Sequence, residues 1–176
     1  ALKAAFDWKV RKNLARRASG EKGFKVIHFQ QAFHGRTGYT MSLTNTLPDK
    51  VGLFPKFDWP RVHSPFMEFD EDGNISNDVE QEEGRTRDEI EAVYASCASQ
   101  GRHVAAIIIE PMQGEGGDNH FRTEFMARLR DYADEKQCLL LLDEVQTGFF
   151  GSGKPWLWQH HGVAPDVVAF GKKSQV

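Results

Sequence analysis

Asp143 and Lys172 are the residues of this chain best placed to do chemistry. The apolar run Leu139-Leu140-Leu141-Leu142 opens into Asp143-Glu144-Val145-Gln146-Thr147-Gly148, and a second run, Asp166-Val167-Val168-Ala169-Phe170, delivers Gly171-Lys172-Lys173. Both runs have the length of buried strands. Each ends in a charged group that a buried sheet would not hold without a task. Open α/β sheets bind ligands at the carboxyl ends of their strands. There an aspartate can face a pyridinium nitrogen and a lysine can form a Schiff base, the two groups that pyridoxal phosphate chemistry requires of its protein. A lysine is a poor nucleophile near its ordinary pKa of about 10.4, so the reading needs a low-dielectric, cation-rich pocket that lowers that value.

The elements that must position this pair alternate along the chain. The pattern predicts a helix over 1–17, with Gly20 after it. A strand follows over Phe24 to Phe29, then Gln31-Ala32-Phe33-His34-Gly35-Arg36-Thr37-Gly38-Tyr39. Residues 45–75 are rich in Pro, Gly, Asp and Asn and read as a long irregular segment, which inside a domain is usually functional. Ile90, Val93, Tyr94 and Cys97 recur at helical spacing, predicting a helix over 79–99. Val104 to Ile109 reads as a strand ending in Glu110-Pro111-Met112-Gln113-Gly114-Glu115-Gly116-Gly117. Glu124 to Lys136 reads as a helix with Phe125, Leu129 and Tyr132 inward, followed by the strand to Leu142, a short helix containing Trp156, and the strand to Phe170. Apolar strands separated by helices imply a mostly parallel sheet with helices on both faces, an α/β fold.

Other chemistries fit less well. Asp143-Glu144 after four leucines also suits the acidic end of a Walker B strand, but its phosphate loop should precede it. The nearest candidate, Gly151-Ser152-Gly153-Lys154-Pro155, follows and lacks the Ser/Thr. A net charge of −3 gives no electrostatic argument for nucleic acid. No run approaches the roughly 18 apolar residues of a membrane helix. Cys97 and Cys138 lack metal-ligand spacing and read as buried free thiols, which suits a reducing cytoplasm. His160-His161 reads as a solvated helix face and not a metal site. The chain starts at Ala1 inside a helical pattern with no capping residue before it, and stops four residues after Lys172; both ends look cut.

Four patterns, in order, resemble the class III (omega) aminotransferases, pyridoxal phosphate enzymes of fold type I. They are Ala32-Phe33-His34-Gly35-Arg36-Thr37, Glu110-Pro111-Met112-Gln113-Gly114-Glu115-Gly116-Gly117, Leu142-Asp143-Glu144-Val145-Gln146-Thr147-Gly148 and Pro165-Asp166-Val167-Val168-Ala169-Phe170-Gly171-Lys172. Phe54-Pro55-Lys56-Phe57-Asp58-Trp59-Pro60-Arg61 and Phe170-Gly171-Lys172-Lys173 are most similar to the lysine epsilon-aminotransferases of that class. The resemblance implies that residues 1–176 are the central part of a cofactor-binding large domain, from an enzyme that is cytoplasmic and a homodimer when full length. It implies that Lys172 holds pyridoxal phosphate and later moves the alpha proton. Asp143 would pair with the pyridinium nitrogen, Phe33 stack on the ring with His34 beside it, and Gln146 bond the phenolic oxygen. Arg36 would take a substrate carboxylate. Glu115 would neutralise a second arginine further along the chain, and Glu110 would steady Asp143.

Plainer readings stand beside these. Lys173 competes with Lys172 for the cofactor, although the 29 residues from Asp143 to Lys172 favour the latter. Phe33 could be core, Arg36 a structural ion pair, and Glu115 a loop carboxylate. The expected reaction passes an amino group between an amino acid, foremost the epsilon amine of L-lysine, and 2-oxoglutarate. Ornithine or 4-aminobutyrate is the alternative donor. A non-catalytic homologue is the alternative from another class, and retention of both Asp143 and Lys172 argues against it.

Overall fold

The apolar runs become the middle of one parallel sheet. A computed structural model describes residues 1–174. In chain order the helices and strands are α1 (Leu2–Ala15), β1 (Lys25–Phe29), α2 (Pro48–Val51), β2 (Arg61–Val62), α3 (Val79–Ser99), β3 (Val104–Ile109), β4 (Met112–Gln113), β5 (Asn119–His120), α4 (Thr123–Glu135), β6 (Leu139–Asp143), α5 (Trp158–His161) and β7 (Val167–Ala169). Five strands, ordered β2-β1-β3-β6-β7, pair in parallel, and β4 and β5 make a separate antiparallel pair. Every residue of β3 is buried, as a central strand covered on both faces must be.

Side chains alternate across the sheet and sort into two cores. On one face Ile27, Phe29, Ile107, Ile109, Leu140 and Leu142 pack with Ile90 and Cys97 of α3 and with Phe125, Met126, Leu129 and Tyr132 of α4. On the other, Val26, Ala106, Ile108 and Leu141 pack with Leu2 and Ala5 of α1. The helices are fixed at their starts. The Asp78 carboxylate accepts a hydrogen bond from the Gln81 N–H and caps α3. The Arg122 fork, just before α4, donates to both Glu83 oxygens at 2.8 and 2.7 Å.

Three expectations need correction. The strand ending before Lys172 is only half-buried, because β7 is the outer strand of the sheet among the described residues. The short helix near 156 starts at Trp158, leaving Trp156 in the preceding turn, where it packs on Phe149 and Phe170. The segment 45–75 is mostly irregular, yet it contains α2 and contributes the edge strand β2, which pairs with His28 and Phe29. Cys97 and Cys138 are both buried and free. Among the described residues, no helix is long and apolar enough to cross a membrane.

Candidate active site

The carboxyl ends of β1, β3, β6 and β7 open onto a cavity of about 490 Å³. Phe33, His34 and Gly35 enter it from the loop after β1, Glu110 from the end of β3, Glu115 from the loop between β4 and β5, and Asp143, Val145 and Gln146 from the end of β6. Lys172 closes the side after β7. A second cavity of about 500 Å³ lies among Phe6, Phe24, Tyr39, Phe57 and Trp59. Lys3, Glu21, Lys25 and Asp58 also line this aromatic hollow, but it lies apart from the strand ends that carry Asp143 and Lys172, so the candidate chemistry belongs to the first.

Asp143 is the last residue of β6 and only 8 % exposed. Its Oδ1 accepts from the Val145 N–H at 3.1 Å, and its Oδ2 lies 2.8 Å from Nδ1 of His34, which donates. That donor assignment follows from the carboxylate partner. The His34 side chain is 1 % exposed. The loop carrying it is held by Thr44, whose hydroxyl accepts from the His34 N–H at 2.9 Å and donates to the Gly35 carbonyl at 2.6 Å. His34 Nε2 is buried and has no partner among the described residues. A buried polar atom left alone is uncommon and calls for a ligand, water or strain.

Glu110 is buried at 4 % exposure and its Oε1 accepts from the Phe33 N–H at 2.8 Å. It therefore fixes the backbone of the candidate ring platform and meets Asp143 only through proximity of charge. Burial pushes its carboxyl up to about 7; His34 and the Phe33 hydrogen bond oppose the shift, and Asp143 adds to it. A carboxyl with a folded pKa near 7 and an unfolded value near 4.5 binds more protons folded than unfolded between those values. Its contribution is complete below about pH 4.5 and is lost as pH rises through about 7. Urea unfolding of the cofactor-free protein should show stability falling across that window by up to about 3 kcal/mol. Glu110→Gln should flatten the slope; an unchanged slope would show that the proton sits elsewhere.

Lys172 Nζ donates to Gln146 Oε1. Its φ is +28°, a sparsely populated backbone state for a non-glycine residue and one that clusters at functional sites. Its side chain is exposed, against the expectation of a low-dielectric pocket, because β7 has no outer neighbour among the described residues. Lys173 points away from the cavity: its Nζ donates to the Gln146 carbonyl at 2.5 Å. Phe33 is half-buried on the cavity wall, as a platform must be.

The remaining sequence candidates divide. Glu115 lines the cavity and pairs with Lys50 at 2.9 Å. Arg36 is exposed, outside the lining, and without an ion pair or hydrogen bond among the described residues, so the structural ion pair is not seen. Gly116 is a spacer: a Cβ there would lie 2.1 Å from the Gln31 carbonyl oxygen. The sequence reading missed Glu144. It is 1 % exposed, and its carboxylate accepts from the Thr147 hydroxyl at 2.6 Å and from the Leu157 and Trp158 N–H groups at 3.0 and 2.8 Å. It ties the turn after Asp143 to the start of α5; its adjacency to Asp143 was the only available signal.

These residues fit pyridoxal phosphate. A buried carboxylate stands at a strand end, an amine follows the neighbouring strand, an aromatic ring lines the same cavity, and an unpartnered imidazole nitrogen is buried beside the carboxylate.

Comparison with known proteins agrees. The family model for class-III aminotransferases matches residues 1–175. An L-lysine-epsilon aminotransferase of Mycobacterium tuberculosis is 48 % identical over 178 residues, covering 100 % of this chain and 38 % of the relative. The mitochondrial 4-aminobutyrate aminotransferase of Mus musculus is 36 % identical over 162 residues, covering 91 % of the chain and 32 % of the relative. The solved lysine aminotransferase of M. tuberculosis in its internal aldimine form superposes with a TM-score of 0.86 at 46 % identity, covering 99 % of this chain and 39 % of that one. The chain thus spans under two fifths of the length of these relatives.

Proposed function

The chain belongs to the class-III aminotransferases, a family of pyridoxal phosphate enzymes, and on that premise we propose that it is the central part of the cofactor-binding large domain of an L-lysine epsilon-aminotransferase. The acceptor in this reading is 2-oxoglutarate. The observation that carries it is the convergence of Asp143, His34, Gln146 and Lys172 on one cavity at the carboxyl ends of the strands.

Pyridoxal phosphate, when bound, supplies a pyridinium ring that takes up the electron pair released as a C–H bond breaks. Asp143 keeps a ring N–H in place by accepting its hydrogen bond. The Nδ1–H of His34 holds the Asp143 carboxylate in the right plane. Gln146, already the partner of Lys172 Nζ, accepts or donates at the ring's oxygen once that amine is engaged. Phe33 supports the ring face, with its backbone pinned by Glu110. Lys172 Nζ would take the proton from the amine-bearing carbon of the substrate as a general base and then, as an acid, deliver it on the cofactor side. Arg36 is free to grip the far carboxylate of a diamino acid, which would turn the epsilon amine towards Lys172.

The same proposal places the enzyme in the cytoplasm, supported by two buried free thiols, and makes it a homodimer. The exposed rings of Phe24, Phe57, Phe150 and Phe170 are apolar surface for further protein to cover.

A panel of amino donors given to the full-length enzyme tests the substrate. L-Lysine should show the highest kcat/KM, and Arg36→Ala should raise its KM about thirtyfold, the cost of one lost charge partner. A higher kcat/KM for ornithine or 4-aminobutyrate would overturn the lysine assignment and leave the family standing. Unchanged lysine kinetics in Arg36→Ala would move the carboxylate contact elsewhere.

A further inference from the structure

We infer that Lys50 is a positioning residue that sets the charge an incoming substrate meets, acting through its ion pair with Glu115 at the rim of the cavity. The inference rests on the proposed aminotransferase reading, in which Glu115 faces substrate.

The geometry is specific on both sides. Lys50 Nζ lies 2.9 Å from Glu115 Oε1, and the Thr46 hydroxyl reaches the same oxygen at 3.5 Å. Lys50 belongs to α2, a single turn with Pro48 at its start, and the buried Val51 anchors that turn against the protein. Glu115 sits on the tight loop between β4 and β5, closed by bonds from the Gly117 and Asp118 N–H groups to the Gly114 carbonyl. Neither backbone depends on the ion pair for its place, so the pair is free to serve another purpose.

The charge around the cavity supplies that purpose. Its lining holds the acidic side chains Glu110, Glu115, Asp118 and Asp143 against one cationic side chain, Lys172. A transaminase must admit substrates of opposite charge to one cavity: a diamino acid with an extra ammonium and an acceptor with two carboxylates. A bare Glu115 would favour the first and repel the second. Lys50 stands behind Glu115, outside the lining, and offsets its charge. Both side chains are well exposed, at 40 % and 36 %, so the pair is weak and exchangeable. A substrate ammonium can take Glu115 from Lys50, and the pair can close again to lessen the repulsion that Glu115 exerts on a substrate carboxylate. A tight buried pair could not open and close in this way.

Four forms of the full-length holoenzyme test this: Lys50→Gln, Lys50→Arg, Glu115→Gln and the Lys50→Gln/Glu115→Gln double variant. The probes are glutarate, a dicarboxylate with no carbonyl to react, read by equilibrium binding, and L-lysine and 2-oxoglutarate, read by kinetics. Lys50→Gln should weaken glutarate binding and raise the 2-oxoglutarate KM about threefold to fivefold, the size of one exposed charge contact. The lysine KM should fall by a similar factor, and kcat should move less than either KM. Both shifts should shrink at high salt, and Lys50→Arg should reverse them. In the Glu115→Gln background, Lys50→Gln should add nothing. A silent Lys50→Gln beside an active Glu115→Gln overturns the role of Lys50 alone. Equal effects of Lys50→Gln in both backgrounds overturn action through Glu115. A silent Glu115→Gln removes Glu115 from the substrate's path, and this inference falls together with that part of the reading.

Discussion

Lys172→Ala is expected to cost the full-length enzyme at least about 10⁴-fold in turnover, since it removes both the covalent anchor of the cofactor and the general base, the latter alone worth about 10² to 10⁴. The structure separates Lys172 from its neighbour. Lys172 lines the cavity and its amine meets the Gln146 side chain, whereas the Lys173 amine is turned back onto the Gln146 main chain, beside Gly151. A Cβ on Gly151 would lie 2.8 Å from Lys173 Nζ, so that exposed amine rests against Gly151 and outside the cavity lining. Borohydride reduction followed by peptide mapping should place the pyridoxyl group on Lys172. Recovery of the label on Lys173, or substantial turnover by Lys172→Ala, would refute the assignment. Lys173→Ala supplies the contrast: it should keep the cofactor and most of the rate.

Much of this arrangement was legible in the sequence because it depends on local pattern. Six valine, alanine and isoleucine residues in succession mark β3, four leucines mark β6, and the helical spacing of Ile90, Val93, Tyr94 and Cys97 marks α3, whose observed span is Val79–Ser99. What was not legible depends on contacts between distant residues. β2 is two residues long in a Pro-rich stretch, and only pairing with His28 and Phe29 makes it a strand. The His34–Asp143 hydrogen bond joins residues 109 apart, and the Lys50–Glu115 pair joins residues 65 apart. No spacing rule reaches across those intervals. Glu144 was hidden for another reason: an acid after a strand reads as solvent-facing, but three donors converge on it and make its burial tolerable. Motif order brought Arg36 into the candidate site, yet the structure leaves its side chain outside the cavity lining, since the chain turns to solvent after Gly35.

Asp143→Ala should lower the rate of the first half-reaction about 10²- to 10⁴-fold while the cofactor remains bound. The argument starts from position. Asp143 is paired in register with Ala169 at the end of β6, so a rigid sheet sets where its carboxylate stands. One oxygen is occupied by the Val145 N–H and the other by His34. Two donors hold this nearly buried carboxylate in one orientation, and a carboxylate fixed opposite it is what a ring nitrogen needs in order to stay protonated. Removing it withdraws that support and also strands the buried Nδ1–H of His34, a loss of about 1 to 3 kcal/mol in stability. Rate and stability must therefore be separated. Asp143→Asn retains an acceptor for His34 but not the charge, so it should recover stability without recovering rate. His34→Ala leaves the charge and removes its orienting donor, so its rate loss should be smaller than that of Asp143→Ala. Stopped-flow absorbance of the bound cofactor after mixing with L-lysine reads the half-reaction, and thermal unfolding reads stability. Near wild-type rates in Asp143→Ala or Asp143→Asn with cofactor bound would show that another group protonates the ring. Recovery of both rate and stability by Asp143→Asn would show that Asp143 only holds His34 in place.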